Sequence, residues 1–161
     1  PDGKIIVGIN LYQHGTNWVE GRLMRYNPNG SPDRTFGTGG LTAVNKDVGS
    51  VALQEDGKIL FTGSSYDEST SSHVIVVGRR NRDGSPDTSF GSHGITRVMM
   101  GKSFATSRRI ASQQDGRIVV AGDVGTKAAG IHSRSSRYPS DLVLFRLTPN
   151  GQLDENFGLR P

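Results

Sequence analysis

The sequence predicts an all-β repeat array, and three observations lead to that prediction. Two phrases alternate along the 161-residue chain, and each phrase occurs three times. Short runs rich in Val, Ile and Phe separate the phrases, and Gly, Asp, Asn and Ser bound these runs. None of the runs has a 3.6-residue apolar stripe long enough for a helix, so we expect strands and little helix.

Both phrases consist of turn residues followed or preceded by a strand-like run. The copies of the first are PDGKIIVGI (1–9), EDGKILFTG (55–63) and QDGRIVVAG (114–122), and those of the second are NPNGSPDRTFGTGG (27–40), NRDGSPDTSFGSHG (81–94) and TPNGQLDENFG (148–158). The Asp-Gly pair of the first phrase recurs after 54 and then 59 residues. This period is typical of a four-stranded unit with generous loops.

The complete middle unit shows four candidate strands, at 49–54, 58–63, 73–81 and 95–98. The Asp-Gly pair between the first two predicts a two-residue hairpin turn, because Asp and Gly tolerate the positive φ angles that such a turn needs. An antiparallel meander of four strands leaves both sheet faces bare, so the units must stack on one another. Units that fan around an axis form a β-propeller.

The predicted architecture is therefore a β-propeller-like array of three consecutive blades, with boundaries at 1–48, 49–103 and 104–161. The first blade lacks its first strand, the second is complete, and the third lacks its fourth strand. Closed propellers have roughly four to eight blades. We therefore expect the chain to belong to a longer array or to close a ring by pairing with another copy.

Residues that recur in all three units have a structural interpretation. Gly30, Gly84 and Gly151 stand where the second phrase must pass through a left-handed conformation. The recurring phenylalanines are interpreted as apolar plugs between neighbouring blades. Each recurring arginine is expected to pair with the aspartate of its own or the next blade, because a charge repeated in a stacked array is more often paired than catalytic. These positions are Arg25, Asp33 and Phe36, then Arg79, Asp87 and Phe90, then Arg146, Asp154 and Phe157.

The units resemble the bacterial delta-60 repeat family. The stretch QEDGKILFTG followed by RNRDGSPDTSFGSHGI carries the resemblance, which extends over essentially the whole chain. It implies a β-propeller found largely in exported or cell-surface proteins of bacteria, without shared catalytic residues. The chain departs from the pattern at Ile9, where the other units have Gly63 and Gly122, at Gln152 and Leu153 in place of Ser-Pro, and in an eight-residue insertion in the third unit.

Candidate binding residues are sought where the repeats differ, in the loops between second and third strands at 10–18, 64–73 and 123–140. Each of these loops carries a Tyr and a His, and equivalent loops of a ring lie on one face together with the connections from fourth to first strands. Such a rim suits the binding of sugars or protein surfaces, although Tyr and His are also ordinary loop residues. The candidates are Tyr12, His14, Trp18, Tyr66, His73, Arg108, Arg109, His132, Arg134, Arg137 and Tyr138.

An enzyme has less support in the sequence. The chain contains no H-E-x-x-H, no G-x-S-x-G and no P-loop, so we expect a non-catalytic module without a metal or cofactor. The alternative is a propeller-type hydrolase or lyase that uses loop residues such as His132 and Asp67. A third possibility is binding of acidic polymers or nucleic acid through residues 101–140, which hold seven cationic and two anionic side chains. A solvated basic face explains that stretch equally well.

Composition limits the remaining expectations. The chain has no Cys, a net charge of +4 and no apolar run of about 18 residues, so no membrane insertion is expected. The expected partner is a protein or a carbohydrate. An extracellular or cell-surface location is predicted from the family resemblance alone.

Overall fold

The computed structural model describes residues 2–12, 19–44, 47–101, 104–125 and 140–158. Within these ranges the chain forms ten β-strands and no helix, so the predicted all-β class is confirmed. The strands are β1 (Ile5–Tyr12), β2 (Val19–Tyr26), β3 (Leu41–Ala43), β4 (Ser50–Leu53), β5 (Ile59–Asp67), β6 (Ser72–Arg80), β7 (Ile95–Met99), β8 (Phe104–Ser112), β9 (Ile118–Gly125) and β10 (Ser140–Leu147).

The strands form three antiparallel sheets in meander order. Their orders are β1-β2-β3, β4-β5-β6-β7 and β8-β9-β10, so the units have three, four and three strands as the sequence indicated. We call them units one, two and three. Each sheet falls within one predicted blade, and the boundaries of the blades stay a prediction.

Every unit has two distinct ends. At the turn end lie the hairpin 54–58 and the second phrase 81–94, which both connect strands of unit two. At the loop end β5 passes into β6, β7 ends and β8 begins, as their cross-strand registers show. The second-to-third-strand hairpins and the fourth-to-first-strand connections therefore share one end, as expected for a propeller.

The turns of the first phrase differ from the predicted two-residue type. Gln54 and Lys58 close a three-residue loop, with the amide of Gly57 donating to the carbonyl of Gln54 over 2.9 Å. Only Gly57 takes a positive φ, of 82°. Asp56 stabilises the turn through its side chain, because its carboxylate accepts a hydrogen bond from the amide of Lys58 at 3.0 Å.

The hairpin between β5 and β6 is longer than predicted. The sequence placed a loop at 64–73, but β5 continues to Asp67 and β6 begins at Ser72, so the connection is only 68–71. Tyr66 and His73 lie opposite each other in these strands, with ring centroids 5.1 Å apart in an edge-to-face arrangement. Such a cross-strand pair stabilises the extended hairpin.

Two buried apolar clusters join the three sheets, and we call them the first and second seams. Along β5, Ile59 and Phe61 face the first seam while Leu60 faces the second, which is the period-2 alternation of a strand. The middle sheet is thus buried on both faces. The first seam holds Leu23, Phe36, Val44, Ile59 and Phe61, and the second holds Leu60, Ile75, Val77, Phe90, Ala105, Ile110, Ile118, Val120, Val124, Phe145 and Leu147.

One departure from the repeat pattern has a structural explanation. A Cβ added at Gly63 would collide with the backbone oxygen of Asp47, and one at Gly122 would collide with that of Thr106. Asp47 precedes β4, the first strand of unit two, and Thr106 lies near the start of β8, the first strand of unit three, so in both units the chain that enters the sheet passes close to the glycine. Among the described residues of unit one no strand precedes β1, and Ile9 stands at this position.

Candidate functional site

Each recurring arginine pairs with the aspartate of its own unit, which is one of the two arrangements that the sequence left open. The guanidinium also lies over the ring of the recurring phenylalanine, at 4.6 to 4.8 Å from its centroid. The Nε to Oδ2 distances are 2.6 Å for Arg25 and Asp33, 2.6 Å for Arg79 and Asp87, and 2.9 Å for Arg146 and Asp154.

A second cation, supplied by the first phrase, reaches each of these aspartates. Lys58 Nζ lies 3.0 Å from Asp87 Oδ2, and Lys4 Nζ lies 2.5 Å from Asp33 Oδ2. In unit three Arg117 Nε lies 3.5 Å from the carboxylate of Asp154. An ion pair therefore links the first phrase of each unit to the second. Sequence reasoning missed these cations, although the shared Lys or Arg after Asp-Gly was the signal available.

Two of the aspartates are held ionised. Hydrogen bonds from Lys4 and Thr35 lower the pKa of Asp33 well below its usual range. Burial raises the pKa of Asp87, but hydrogen bonds from Ser89 and Lys58 outweigh it and leave that pKa well below its usual range too. Carboxylates of this kind are structural acceptors and cannot supply a proton near neutral pH.

Two of the three recurring phenylalanines lie at the seams. Phe36 and Phe90 are fully buried. A Cβ added at Gly84 would approach Phe36 to 2.9 Å, and one at Gly151 would approach Phe90 to 2.8 Å. Each phenylalanine is therefore seated on the turn glycine of the following unit. The glycine is needed for this close approach as well as for its positive φ of 92° or 87°.

Backbone contacts repeat the same connection across both seams. The amide of Gly37 donates to the carbonyl of Asp83 at 2.8 Å, and the amide of Gly91 donates to that of Asn150 at 2.9 Å. Arg79 Nη1 donates to the carbonyl of Pro149 at 2.7 Å. The recurring residues of the two phrases therefore stabilise the scaffold, which leaves the loop end as the place to look for a ligand site.

At the loop end the structure brings Tyr66 and His73 together. Tyr66 is 53% exposed although it takes part in the ring pair. Tyr12 ends β1 at the same end of unit one and is also largely exposed. The other loop candidates, His14, Trp18, His132, Arg134, Arg137 and Tyr138, lie outside the described residues.

Arg108 and Arg109 are not loop residues, contrary to the prediction. The sequence assigned them to the connection into unit three, but they lie within β8, which begins at Phe104. The register of β8 against β9 shifts between Ser107 and Arg109, so Arg108 is the extra residue of a β-bulge. Its Nε pairs with Asp123 Oδ2 at 2.5 Å.

The basic stretch 101–140 is partly neutralised. Arg108 pairs with Asp123, and Arg117 pairs with Asp115 at 2.6 Å. Arg109 is exposed, and its Nη1 donates to the carbonyl of Arg108 at 2.8 Å. The remaining cations Lys102, Lys127, Arg134 and Arg137 lie outside the described residues. The described part of this stretch therefore offers mainly paired charges to an acidic polymer.

A surface hollow of about 330 Å³ adjoins the exposed tyrosine. Tyr66, Asp67 and Glu68 line it from the hairpin, and Arg97 lines it from β7. Tyr66 was predicted as a binding candidate and Asp67 as a possible enzyme residue, whereas Glu68 and Arg97 were missed. Arg97 pairs with Val76 in the sheet. The alternation of side chains along β7 was the feature of the sequence that could have identified Arg97 as a surface residue.

Asp67 is kept ionised by the turn that follows it. Its Oδ1 accepts the amide of Ser69 at 3.0 Å and the hydroxyl of Ser69 at 2.6 Å. The hydroxyl hydrogen bond is the main reason that the pKa of Asp67 is below its usual value. An ionised carboxylate only accepts hydrogen bonds, so Asp67 suits a hydroxyl-rich ligand better than general acid catalysis.

The described residues give less support to a site in a buried cavity, to a metal site or to a membrane-spanning helix. A smaller cavity of about 120 Å³ at the first seam is lined mainly by scaffold residues such as Ile6, Arg25 and Ile59. Within the described ranges no three His, Asp or Glu side chains form a group suited to a metal ion. A search of the same ranges for a helix that is long and apolar enough to cross a membrane finds none.

Comparison with known families agrees with this geometry. Residues 1–36, 54–90 and 113–157 match the family described as a domain of unknown function (DUF5122) beta-propeller. The matched segments cover more than half of the chain, which therefore belongs to this family, and the resemblance to the delta-60 repeats is confirmed. No curated protein sequence matches the chain significantly.

Proposed function

We propose that this member of the DUF5122 β-propeller family is a non-catalytic module that binds a carbohydrate at the loop end of unit two. The observations that carry the proposal are ionised Asp67 and exposed Arg97, which line one polar hollow, and the exposed ring of Tyr66, which precedes Asp67 in β5 and lies on the opposite face of that strand. A sugar presents an apolar ring face together with hydroxyl donors, and sites for such ligands combine an aromatic surface with a few placed polar groups.

Three groups have defined roles in this proposal. The Tyr66 ring packs against the sugar face, and its edge-to-face contact with His73 limits its rotation before a ligand arrives. Asp67 accepts a sugar hydroxyl. Arg97, which is exposed and lines the same hollow, donates to a sugar oxygen.

The test is a calorimetric titration of the chain with a panel of cello-, chito- and malto-oligosaccharides. We expect saturable binding to one class, and a loss of affinity of about 3- to 10-fold in the variant Tyr66→Ala, since an aromatic contact contributes about 0.5–1.5 kcal/mol. The matched control is Tyr26→Ala, because Tyr26 lies at the opposite, turn end of its unit.

Three outcomes would contradict the proposal. The wild-type chain could bind none of the oligosaccharides, or Tyr26→Ala could weaken binding as much as Tyr66→Ala. Release of a shorter sugar during the titration would instead favour the hydrolase or lyase alternative. An extracellular or cell-surface location would suit a carbohydrate-binding module, and it stays a prediction.

A further inference from the structure

We infer that unit two recognises acidic sugars, an inference that rests on the proposed carbohydrate function. A negatively charged oxygen group of the sugar, a carboxylate or a sulfate, binds in a second surface hollow. This hollow has a volume of about 440 Å³ and is lined by Ser92, His93, Ile95 and Arg97. We call it the basic hollow, and we call the hollow that contains Asp67 the acidic hollow.

The two hollows adjoin on one face of the middle sheet. Arg97 lines both of them. Side chains alternate along β7, so Ile95 and Arg97 share the face on which Arg97 pairs with Val76 of β6. Val74, two residues from Val76 along β6, lines the acidic hollow on that same face. A ligand that extends from the acidic hollow along β7 can therefore contact the basic hollow as well.

The basic hollow is complementary to a negative charge. His93 and Arg97 are both basic and exposed, and none of the described residues that line the hollow is a carboxylate. The guanidinium of Arg97 forms no hydrogen bond or ion pair with another described residue. The hydroxyl of Ser92 lies 3.2 Å from Nδ1 of His93, which leaves Nε2 for a ligand. A guanidinium can pair with the oxygens of an anionic group through parallel hydrogen bonds.

Both basic residues are specific to unit two. Aligning the second phrases and the strands that follow them places Gly39 of unit one where unit two has His93, and Ala43 where it has Arg97. Unit one forms its antiparallel sheet with a glycine and an alanine at these positions. The fold therefore does not require a basic residue at either position, and a ligand is the better explanation for both.

The backbone of His93 is an independent observation in favour of a ligand site. His93 has a positive φ of 54°, and Gly39 has a φ of 65° at the aligned position. A residue with a Cβ is strained in this left-handed region, whereas glycine is not. Strained residues cluster at ligand sites, where the strain serves the function.

The charges of the two hollows determine how an acidic sugar lies in them. Asp67 and Glu68 line the acidic hollow and repel a negative group, so that group is placed beside His93 and Arg97 in the basic hollow. Neutral hydroxyl groups of the same ligand donate to ionised Asp67. The ligand is therefore an oligosaccharide that contains uronic acid or sulfated units.

The experiment is a calorimetric titration with two matched pairs of ligands. Oligogalacturonate is compared with its methyl ester, which lacks the negative charge, and a sulfated cello-oligosaccharide is compared with the unsulfated one. We expect the charged member of one pair to bind the wild-type chain about tenfold more tightly, as a hydrogen bond between charged groups predicts. The pair that shows this preference identifies the anionic group.

The decisive variant is His93→Gly, which gives unit two the residue of unit one. It should weaken binding of the charged ligand about threefold to tenfold, because one hydrogen bond to the ligand is lost. Binding of the neutral ligand should not change. Circular dichroism melts should show an equal or higher melting temperature, since glycine relieves the strain at this position.

A second variant, Arg97→Gln, should weaken binding of both ligands, and that of the charged ligand more strongly. Its matched control is Arg109→Gln, which removes the same charge from an exposed arginine of β8 that lines neither hollow. We expect Arg109→Gln to bind both ligands as the wild-type chain does.

Three results would overturn the assignment of the basic hollow. The wild-type chain could bind charged and neutral ligands equally, His93→Gly could keep the full preference for the charged ligand, or Arg109→Gln could weaken binding as much as Arg97→Gln. Neutral oligosaccharides that still bind, and bind more weakly to Tyr66→Ala, would then leave the carbohydrate proposal intact. A chain that binds neither charged nor neutral oligosaccharides would overturn both proposals.

Discussion

The middle unit and the outer units carry the same pattern of residues in different surroundings. Val77 of unit two is fully buried, whereas Leu144 at the aligned position of unit three is 53% exposed. Likewise Gly84 is covered by Phe36, while the Cβ position of Gly30 is open. A repeat residue therefore acquires its energetic role from the neighbouring unit, because a β-sheet cannot bury its own faces.

The largest expected difference between the units is in how much the recurring phenylalanine stabilises the fold. Phe90→Ala removes a fully buried ring at the second seam and should cost about 4 kcal/mol in the free energy of unfolding. Phe157→Ala removes a partly buried ring, so the cost should be less than half of that. Urea denaturation of both variants measures the two values. Equal costs would mean that Phe157 is as well packed as Phe90.

The recurring Arg-Asp pairs should show a smaller difference, and again the pair of unit two should stabilise the fold more than the pair of unit three. Asp87→Ala leaves Arg79 without its carboxylate, and because both side chains are under 9% exposed the loss should be about 3 kcal/mol. Asp154→Ala should cost about 1 kcal/mol, since Arg146 is 23% exposed and water can solvate it. Thermal melts compare the two variants, and a larger loss for Asp154→Ala would contradict the argument.

The smallest expected effect is a dependence of stability on pH. The pKa values of Asp33 and Asp87 are lower in the folded chain than the ordinary value near 3.8, so the folded state binds fewer protons than the unfolded state in acid. Their contribution is complete above about pH 4 to 5 and is lost progressively as the pH falls below that.

The matched variant for this effect is Asp87→Asn. The difference in unfolding free energy between the wild-type chain and Asp87→Asn should shrink between pH 7 and pH 3, because over this range the aspartate becomes protonated in the unfolded chain while it stays ionised in the folded one. Urea titrations at several pH values measure it. A difference that is constant over this range would show that the Asp87 charge does not stabilise the fold.

Much of the scaffold could be predicted because repetition exposes it. The recurring Phe, Gly, Arg and Asp letters were enough to identify the seams and the turns. The Lys58 contact with Asp87 was missed, because a lysine after Asp-Gly is also a common solvated residue. The length of the β5–β6 hairpin was missed because Ser-rich segments resemble loops, while the pairing of Tyr66 with His73 depends on both strands at once.

The candidate site was only partly predictable for a similar reason. Tyr66 was singled out as an aromatic residue in a variable segment, but Glu68 and Arg97 lie 29 residues apart in sequence and meet only at the hollow. Arg108 and Arg109 were misplaced because a β-bulge inside a strand leaves no signature in a single sequence.

The order of amino acids was sufficient to define the number of units, the number and order of their strands, their turn glycines and the residues that recur at each seam. These depend on local backbone preferences and on a period-2 pattern that short stretches express independently. Packing in three dimensions was needed to establish that each arginine pairs within its own unit, that each phenylalanine is seated on the next unit, and which faces remain open. Those outcomes depend on the relative placement of whole sheets, and burial of apolar surface fixes that placement only when the units pack together.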